Sequence, residues 1–175
     1  MSLGFVIGES MPTLVTAQTS RSLPIGEYVI IDSLDGKIIG LAEKSVVSSA
    51  ALDDVKNFDE ALESIEIAEI NKRDKSYTAS IRILGFLDSL RKGKAILPAV
   101  PPVPGAQIMQ ATKDDLGQIF GPENKEWIKI GNLLRNSEID SMINLNKIVS
   151  RHVGILAMTG MGKSNLVTLL AKQIA

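Results

Sequence analysis

Ala157-Met158-Thr159-Gly160-Met161-Gly162-Lys163-Ser164 is the stretch whose reading decides how the last part of this chain folds. An apolar run, Val153-Gly154-Ile155-Leu156-Ala157, precedes it. After it, Leu166, Leu169, Leu170 and Ile174 recur along the run Asn165 to Ala175 at spacings that place them on one helical face. Apolar run, glycine-bearing loop and amphipathic helix are the order of a strand–loop–helix phosphate-binding unit of the Walker A type. The strict pattern has glycine where Ala157 stands, and alanine is small enough to replace it. The sequence stops eleven residues after Ser164, so we expect most of a nucleotide-binding domain to lie beyond Ala175.

The chemistry of such a loop follows from its ligand. A nucleoside triphosphate crowds several negative charges onto neighbouring oxygens, and binding it takes many donors in a small arc. Gly160 and Gly162 allow backbone angles that side chains would block. Thr159 is counted among the nucleotide-binding residues, and the amides of Gly160 through Asn165, Met161 included, are expected to hold the α- and β-phosphates, with the partial positive charge of the following helix behind them. Lys163 is expected to reach the β- and γ-phosphates of ATP, and the Ser164 hydroxyl to be a ligand of Mg²⁺. The alternative is a glycine-rich turn before an ordinary surface helix, with Lys163 solvated. Two readings also stand for Arg151: a contact to the adenine or a neighbouring subunit, or a solvated linker arginine. His152, the one histidine, is either a switch or a packed residue at a domain junction.

Working back from the loop, the chain reads as mostly β. Phe5–Ile7, Thr13–Thr16, Tyr28–Ile31 and Lys37–Ala42 are rich in β-branched and aromatic residues, with turn formers between them, among them Asp35-Gly36. This spacing predicts a small barrel or sandwich. A helix is expected over Leu52 to Ile65, capped by Asp53 and Asp54. A polar turn at Asn71–Lys75 and a long strand, Tyr77–Phe86, follow, with Glu66–Ile70 as the strand's expected partner. Pro98, Pro101, Pro102 and Pro104 force an extended path, either a stiff connector or a ligand for a proline-binding module. Thr112 and Asp115 are spaced as a capping box. Trp127–Gly131 and Met142–Leu145 are expected to be the last strands. The fold class is thus a small N-terminal β-barrel with one or two short helices, residues 1–147, followed by the first strand, loop and helix of an incomplete α/β domain, residues 148–175.

Composition narrows the rest. Of 175 residues, 45% are hydrophobic and 22% charged, as in an ordinary soluble domain. The formal net charge of -1 supplies no global attraction for nucleic acid. Lys72, Arg73 and Lys75, like Arg91, Lys92 and Lys94, read as solvated turns. The chain has no cysteine, which excludes disulfides and thiolate metal sites. No apolar run is long enough for a membrane span and no secretory leader is present at Met1, so a cytoplasmic location is the expectation.

Thr159-Gly160-Met161-Gly162-Lys163-Ser164 has the form T-G-x-G-K-S, and a β-rich domain leads straight into it. In this the chain resembles the HerA family, archaeal hexameric DNA translocases of the HerA–FtsK group, most specifically from Arg151-His152 to Asn165. The resemblance implies a HAS-type barrel followed by a RecA-like ATPase core, a homo-hexameric ring on double-stranded DNA, ATP and Mg²⁺ as cofactors, and a NurA-like nuclease as partner in DNA end resection. It also implies that the barrel docks that nuclease. The acidic residues and the arginine finger of such an ATPase are expected downstream of Ala175, so this polypeptide alone is expected to be inactive. Two other readings fit less closely: the barrel and loop of a rotary or secretion-type ATPase, or a module used only for oligomerisation and docking.

Overall fold

The computed structural model describes residues 2–70, 75–121, 126–150 and 154–174. Six strands close a barrel: β1 (Ser2–Ser10), β2 (Leu14–Thr19), β3 (Tyr28–Ser33), β4 (Gly36–Ser49), β5 (Lys75–Phe86) and β6 (Gln107–Gln110). Their order around it is β1-β2-β5-β4-β3-β6, with every pair antiparallel and β6 returning to β1. Two-residue alternation explains the interior. Val15 and Ala17 of β2, and Ala79, Ile81 and Ile83 of β5, meet Val6, Val29, Ile31, Ile38 and Ile108 in one buried cluster. Each isoleucine or valine removed from water there is worth about 1.5–3 kcal/mol. The interior is tight: a Cβ on Gly40 would lie 2.4 Å from Cγ2 of Ile81.

The connections follow local chemistry. Ser33 pairs with Gly36 across the two-residue turn Leu34-Asp35, and Gly36 takes a φ of 128° that favours glycine. The β2–β3 loop is clasped by a forked Arg21–Glu27 pair, 2.6 and 3.0 Å, with Glu27 buried. The hydrogen bonds that the Arg21 guanidinium donates to Glu27 raise its pKa above the ordinary value. Pro98 and Pro102 are fully buried, so the proline-rich stretch is a fixed connector rather than a free ligand.

The expected helix exists but is displaced. A short 3₁₀ turn, Ala50–Leu52, precedes α1 (Phe58–Ile70). The cap is Asn57, whose Oδ1 accepts from the Glu60 amide at 2.9 Å, while the Glu60 carboxylate accepts from the Lys56 amide at 3.0 Å. Asp53 and Asp54 lie before it. Glu66–Ile70 is therefore helix, not a strand beside β5. Both edges of β5 are taken, by β2 and β4, which leaves no place for another strand. Of the Asn71–Lys75 turn, Lys75 opens β5 and the other four residues lie outside the described ones. After β5, α2 (Leu87–Arg91) packs back on β4 and β5.

The chain divides into two compact units, Met1–Ala111 and Thr112–Ala175. In the second, α3 (Lys113–Phe120) starts with the expected capping box: the Thr112 hydroxyl accepts from the Asp115 amide, and the Asp115 carboxylate accepts from the Thr112 amide, both at 3.1 Å. Strands β7 (Trp127–Leu133) and β8 (Asn136–Asn144) form a two-stranded sheet of their own, with α3 against β8. The division thus falls well before the expected boundary near residue 147, because β7 and β8 pair with each other and add nothing to a barrel that is already closed. The chain continues through α4 (Leu145–Val149) to α5 (Lys163–Ile174), which packs against β7.

Candidate nucleotide-binding site

The loop ahead of α5 carries its two glycines in the left-handed region, Gly160 at φ 85° and Gly162 at φ 81°. A Cβ at either would meet nothing within 4 Å, so their role is conformational and not one of close packing. The Met161 amide donates to the Met158 carbonyl at 3.2 Å, which turns the chain toward the helix. The ladder of α5 opens with the Leu166 amide donating to the Gly162 carbonyl at 3.0 Å. Amides of the first turn, from Lys163 to Asn165, precede that ladder and keep their donor capacity.

The side chains agree with this backbone. Thr159, Lys163, Ser164 and Asn165 are exposed. Lys163 makes no ion pair and the Ser164 hydroxyl no hydrogen bond among the described residues. The Ser164 carbonyl is held by the Thr168 hydroxyl at 2.9 Å, which ties the first turn of α5. Residues 141–175 contain no aspartate or glutamate. What converges here is a set of donors without a carboxylate: amides, an ammonium and a hydroxyl. Such a set fits a polyphosphate with its magnesium ion and repels no charge on it.

A cleft of about 720 Å³ opens beside Lys163 and Ser164, lined further by Ile148, Ile155, Val167, Thr168, Leu170 and Ala171. Its polar end suits phosphate. Of its apolar lining, Leu170 belongs to the stripe of α5 read from the sequence. Leu166, Leu169 and Leu170 are half-buried, and the side chain of Ile174 lies outside the described residues. Ile148 and Thr168 were not anticipated as lining. Thr168 carried a signal in its spacing, one helical turn after Ser164; Ile148 carried none.

One expectation is overturned. No strand precedes the loop among the described residues: Gly154 to Met158 are irregular, and Leu156 is 97% exposed. A strand is a pairing, not a property of five residues, and no described segment pairs with this one. Arg151, His152 and Val153 lie outside the described residues.

Comparison with known proteins bears on the same segment. Residues 128–175, from β7 to the chain end, match the family model of the central domain of helicase HerA. The chain is 37% identical to a probable helicase of Methanocaldococcus jannaschii over 98% of its length, and 34% identical to the DNA double-strand break repair helicase HerA of Sulfolobus acidocaldarius over 99%. The HerA of Sulfurisphaera tokodaii is 31% identical over the whole chain. The chain belongs to the HerA family. It spans about a third of the length of these curated relatives, 33% in each case. The HerA central-domain match starts inside the second compact unit, so the barrel lies ahead of it. No helix among the described residues is long and apolar enough to cross a membrane.

Proposed function

We propose that this chain supplies the barrel and the phosphate-binding loop of an ATP-driven DNA translocase that works with a nuclease on broken DNA ends. The observation that carries the reading is a loop with Gly160 and Gly162 at positive φ ahead of the open amides of Lys163–Asn165, in a chain whose relatives are named DNA double-strand break repair helicases. Lys163 holds the β- and γ-phosphates of ATP, Ser164 holds Mg²⁺, and the amides of the loop and first helical turn bind the remaining phosphate oxygens. Bound in this way, magnesium neutralises charge on the phosphates. Arg151 stands near enough in sequence to reach the base or a neighbouring subunit.

Positioning is not turnover. Phosphoryl transfer to water also needs a group that orients the water and charge that stabilises the transition state. Residues 141–175 include no aspartate or glutamate, so this polypeptide binds the nucleotide without hydrolysing it at a useful rate. In the parent protein, six copies form a ring around double-stranded DNA, a RecA-like core completes the site, and the HAS-type barrel docks a NurA-like nuclease. Relatives named as helicases favour this over a rotary or secretion ATPase.

Phosphate release by the full-length parent is the test. Turnover should rise at least several-fold with linear double-stranded DNA and vanish in Lys163→Ala. Absence of DNA stimulation sinks the translocase reading. Turnover by residues 1–175 that is lost on Lys163→Ala sinks the claim that this segment is inactive alone.

A further inference from the structure

Thr168 stands one helical turn beyond Ser164, outside the phosphate-loop motif. Its hydroxyl donates to the Ser164 carbonyl at 2.9 Å. Threonine is a poor residue for a helix interior: its branched side chain is stiff, and a hydroxyl that bonds back four residues bends the turn it grips. The residues around it in α5, Leu166, Val167, Leu169, Leu170 and Ala171, are all apolar. A lone hydroxyl in that run, on the wall of the cleft beside Lys163 and Ser164, asks for a reason.

The reason lies in the peptide group that it grips. The Ser164 carbonyl and the Asn165 amide belong to one planar unit, and in a helix they point opposite ways along the axis. The carbonyl points up the helix to Thr168, and the amide points back toward the loop. The Asn165 amide is the last of the open donors, since the ladder begins with the Leu166 amide on the Gly162 carbonyl. Fixing the carbonyl end therefore sets the direction of the N–H at the other end. In the ladder a carbonyl accepts one bond, from the amide four residues on, and the Thr168 hydroxyl gives this one a second. A peptide polarised at its oxygen is also a stronger donor at its nitrogen.

We infer that Thr168 is a positioning residue of the phosphate site, which holds the Asn165 amide on the nucleotide through the Ser164–Asn165 peptide. This deepens the nucleotide-binding reading above and rests on it. Thr168 itself touches no phosphate. It aims one donor of the arc before the nucleotide arrives, so binding does not have to order that donor. The loop amides hold the α- and β-phosphates, which ADP and ATP share, so the effect is equal for the two nucleotides. Lys163 differs, because it also reaches the γ-phosphate that only ATP carries.

The test is equilibrium titration of the full-length parent protein with fluorescent analogues of ADP and of ATP in magnesium. Thr168→Val keeps the shape of the side chain and removes the hydroxyl, whereas Thr168→Ser keeps the hydroxyl. The valine variant should bind both nucleotides about fivefold more weakly, the worth of one hydrogen bond. The serine variant should bind within about twofold of wild type. Both should melt within about 2 °C of it, because Thr168 is exposed. A valine variant that binds like the wild type overturns the inference while nucleotide binding stands. A serine variant as weak as the valine one overturns it too, since the hydroxyl is then not the cause. So does a loss confined to ATP, or one that comes with a lower melting temperature and so belongs to helix stability. If the wild type binds neither nucleotide, the site reading falls and this inference with it.

Discussion

Gly4→Ala probes the closure of the barrel at its tightest seam. Gly4 lies in β1 opposite Thr19 of β2 and opposite Ile108 of β6 on its other side. An added Cβ would stand 2.1 Å from the Gln18 carbonyl oxygen and 2.8 Å from Cα of Thr19. A carbon rests no closer than about 3.3 Å to such an oxygen, so the strands must part by about 1 Å. The obstacle is backbone, and no rotamer change relieves it. At that separation the neighbouring bond from the Ser20 amide to the Leu3 carbonyl, 2.8 Å, passes out of hydrogen-bonding range. Losing one or two such bonds at about 1 kcal/mol each, with about 1–2 kcal/mol of strain, outweighs the roughly 0.5–1 kcal/mol gained by stiffening the unfolded chain. The net loss is about 2–3 kcal/mol, which lowers the melting temperature by roughly 10–20 °C. Thermal melts followed by far-ultraviolet circular dichroism read this directly. Gly117→Ala is the control: a Cβ on that α3 glycine meets nothing within 4 Å, and alanine should stabilise by about 0.5–1 kcal/mol. A Gly4→Ala protein that melts within about 2 °C of the wild type would refute the packing of β1 against β2 described above.

Two further outcomes are expected. Lys163→Ala should weaken ATP binding by roughly 10–100-fold without changing the melting temperature, because the side chain is exposed and its loss removes charge-assisted bonds to phosphate alone; equilibrium titration with a fluorescent nucleotide measures it, and an affinity within about threefold of wild type contradicts the site. Burial raises the Tyr28 hydroxyl above the ordinary tyrosine value, so folding favours its neutral form. That contribution is complete below about pH 10 and is lost as pH rises through the folded value. Urea melts between about pH 9 and pH 12 should therefore show a falling stability, with a shallower fall in Tyr28→Phe; equal slopes in the two proteins would remove Tyr28 as its source.

The barrel was legible because its information is local. Val15, Ala17, Ala79, Ile81 and Ile83 alternate with residues that face outward, and Asp35-Gly36 marks the β3–β4 turn to within one residue, the turn itself being Leu34-Asp35. The Thr112–Asp115 box was legible for the same reason, since both partners of both bonds lie within four residues. What failed depended on neighbours that spacing does not reveal. Glu66-Ile67-Ala68-Glu69-Ile70 was expected beside β5, but β5 already has β2 and β4 at its edges, and the segment continues the helix that Asn57 caps. Trp127–Gly131 was rightly read as strand and wrongly joined to the barrel, because nothing in the run says that the barrel closes without it. Ile155 and Leu156 are apolar enough for a strand and have no described partner. At the loop, the left-handed backbone of Gly160 and Gly162 could be read from the motif alone, since those angles belong to the glycines themselves.

The same contrast yields a last expectation. All six ladders of the barrel join residues between Ser2 and Gln110, and every member of its buried cluster lies between Leu3 and Ile108. Closure gives every barrel strand a partner strand on both sides over part of its length. The second unit differs in kind. Among the described residues its sheet has two strands, each with one free edge, and Leu156, Met158 and Met161 stand in water. Two strands are marginal without further packing, whereas a closed barrel with a continuous core is not. Residues 1–111 expressed alone should therefore fold, showing a cooperative thermal transition and dispersed amide resonances, while residues 112–175 alone should show neither. If residues 1–111 melt without cooperativity, the core described here is not sufficient. If they fold and still bind the nuclease in the absence of the phosphate loop, docking is a property of the barrel and does not wait on nucleotide.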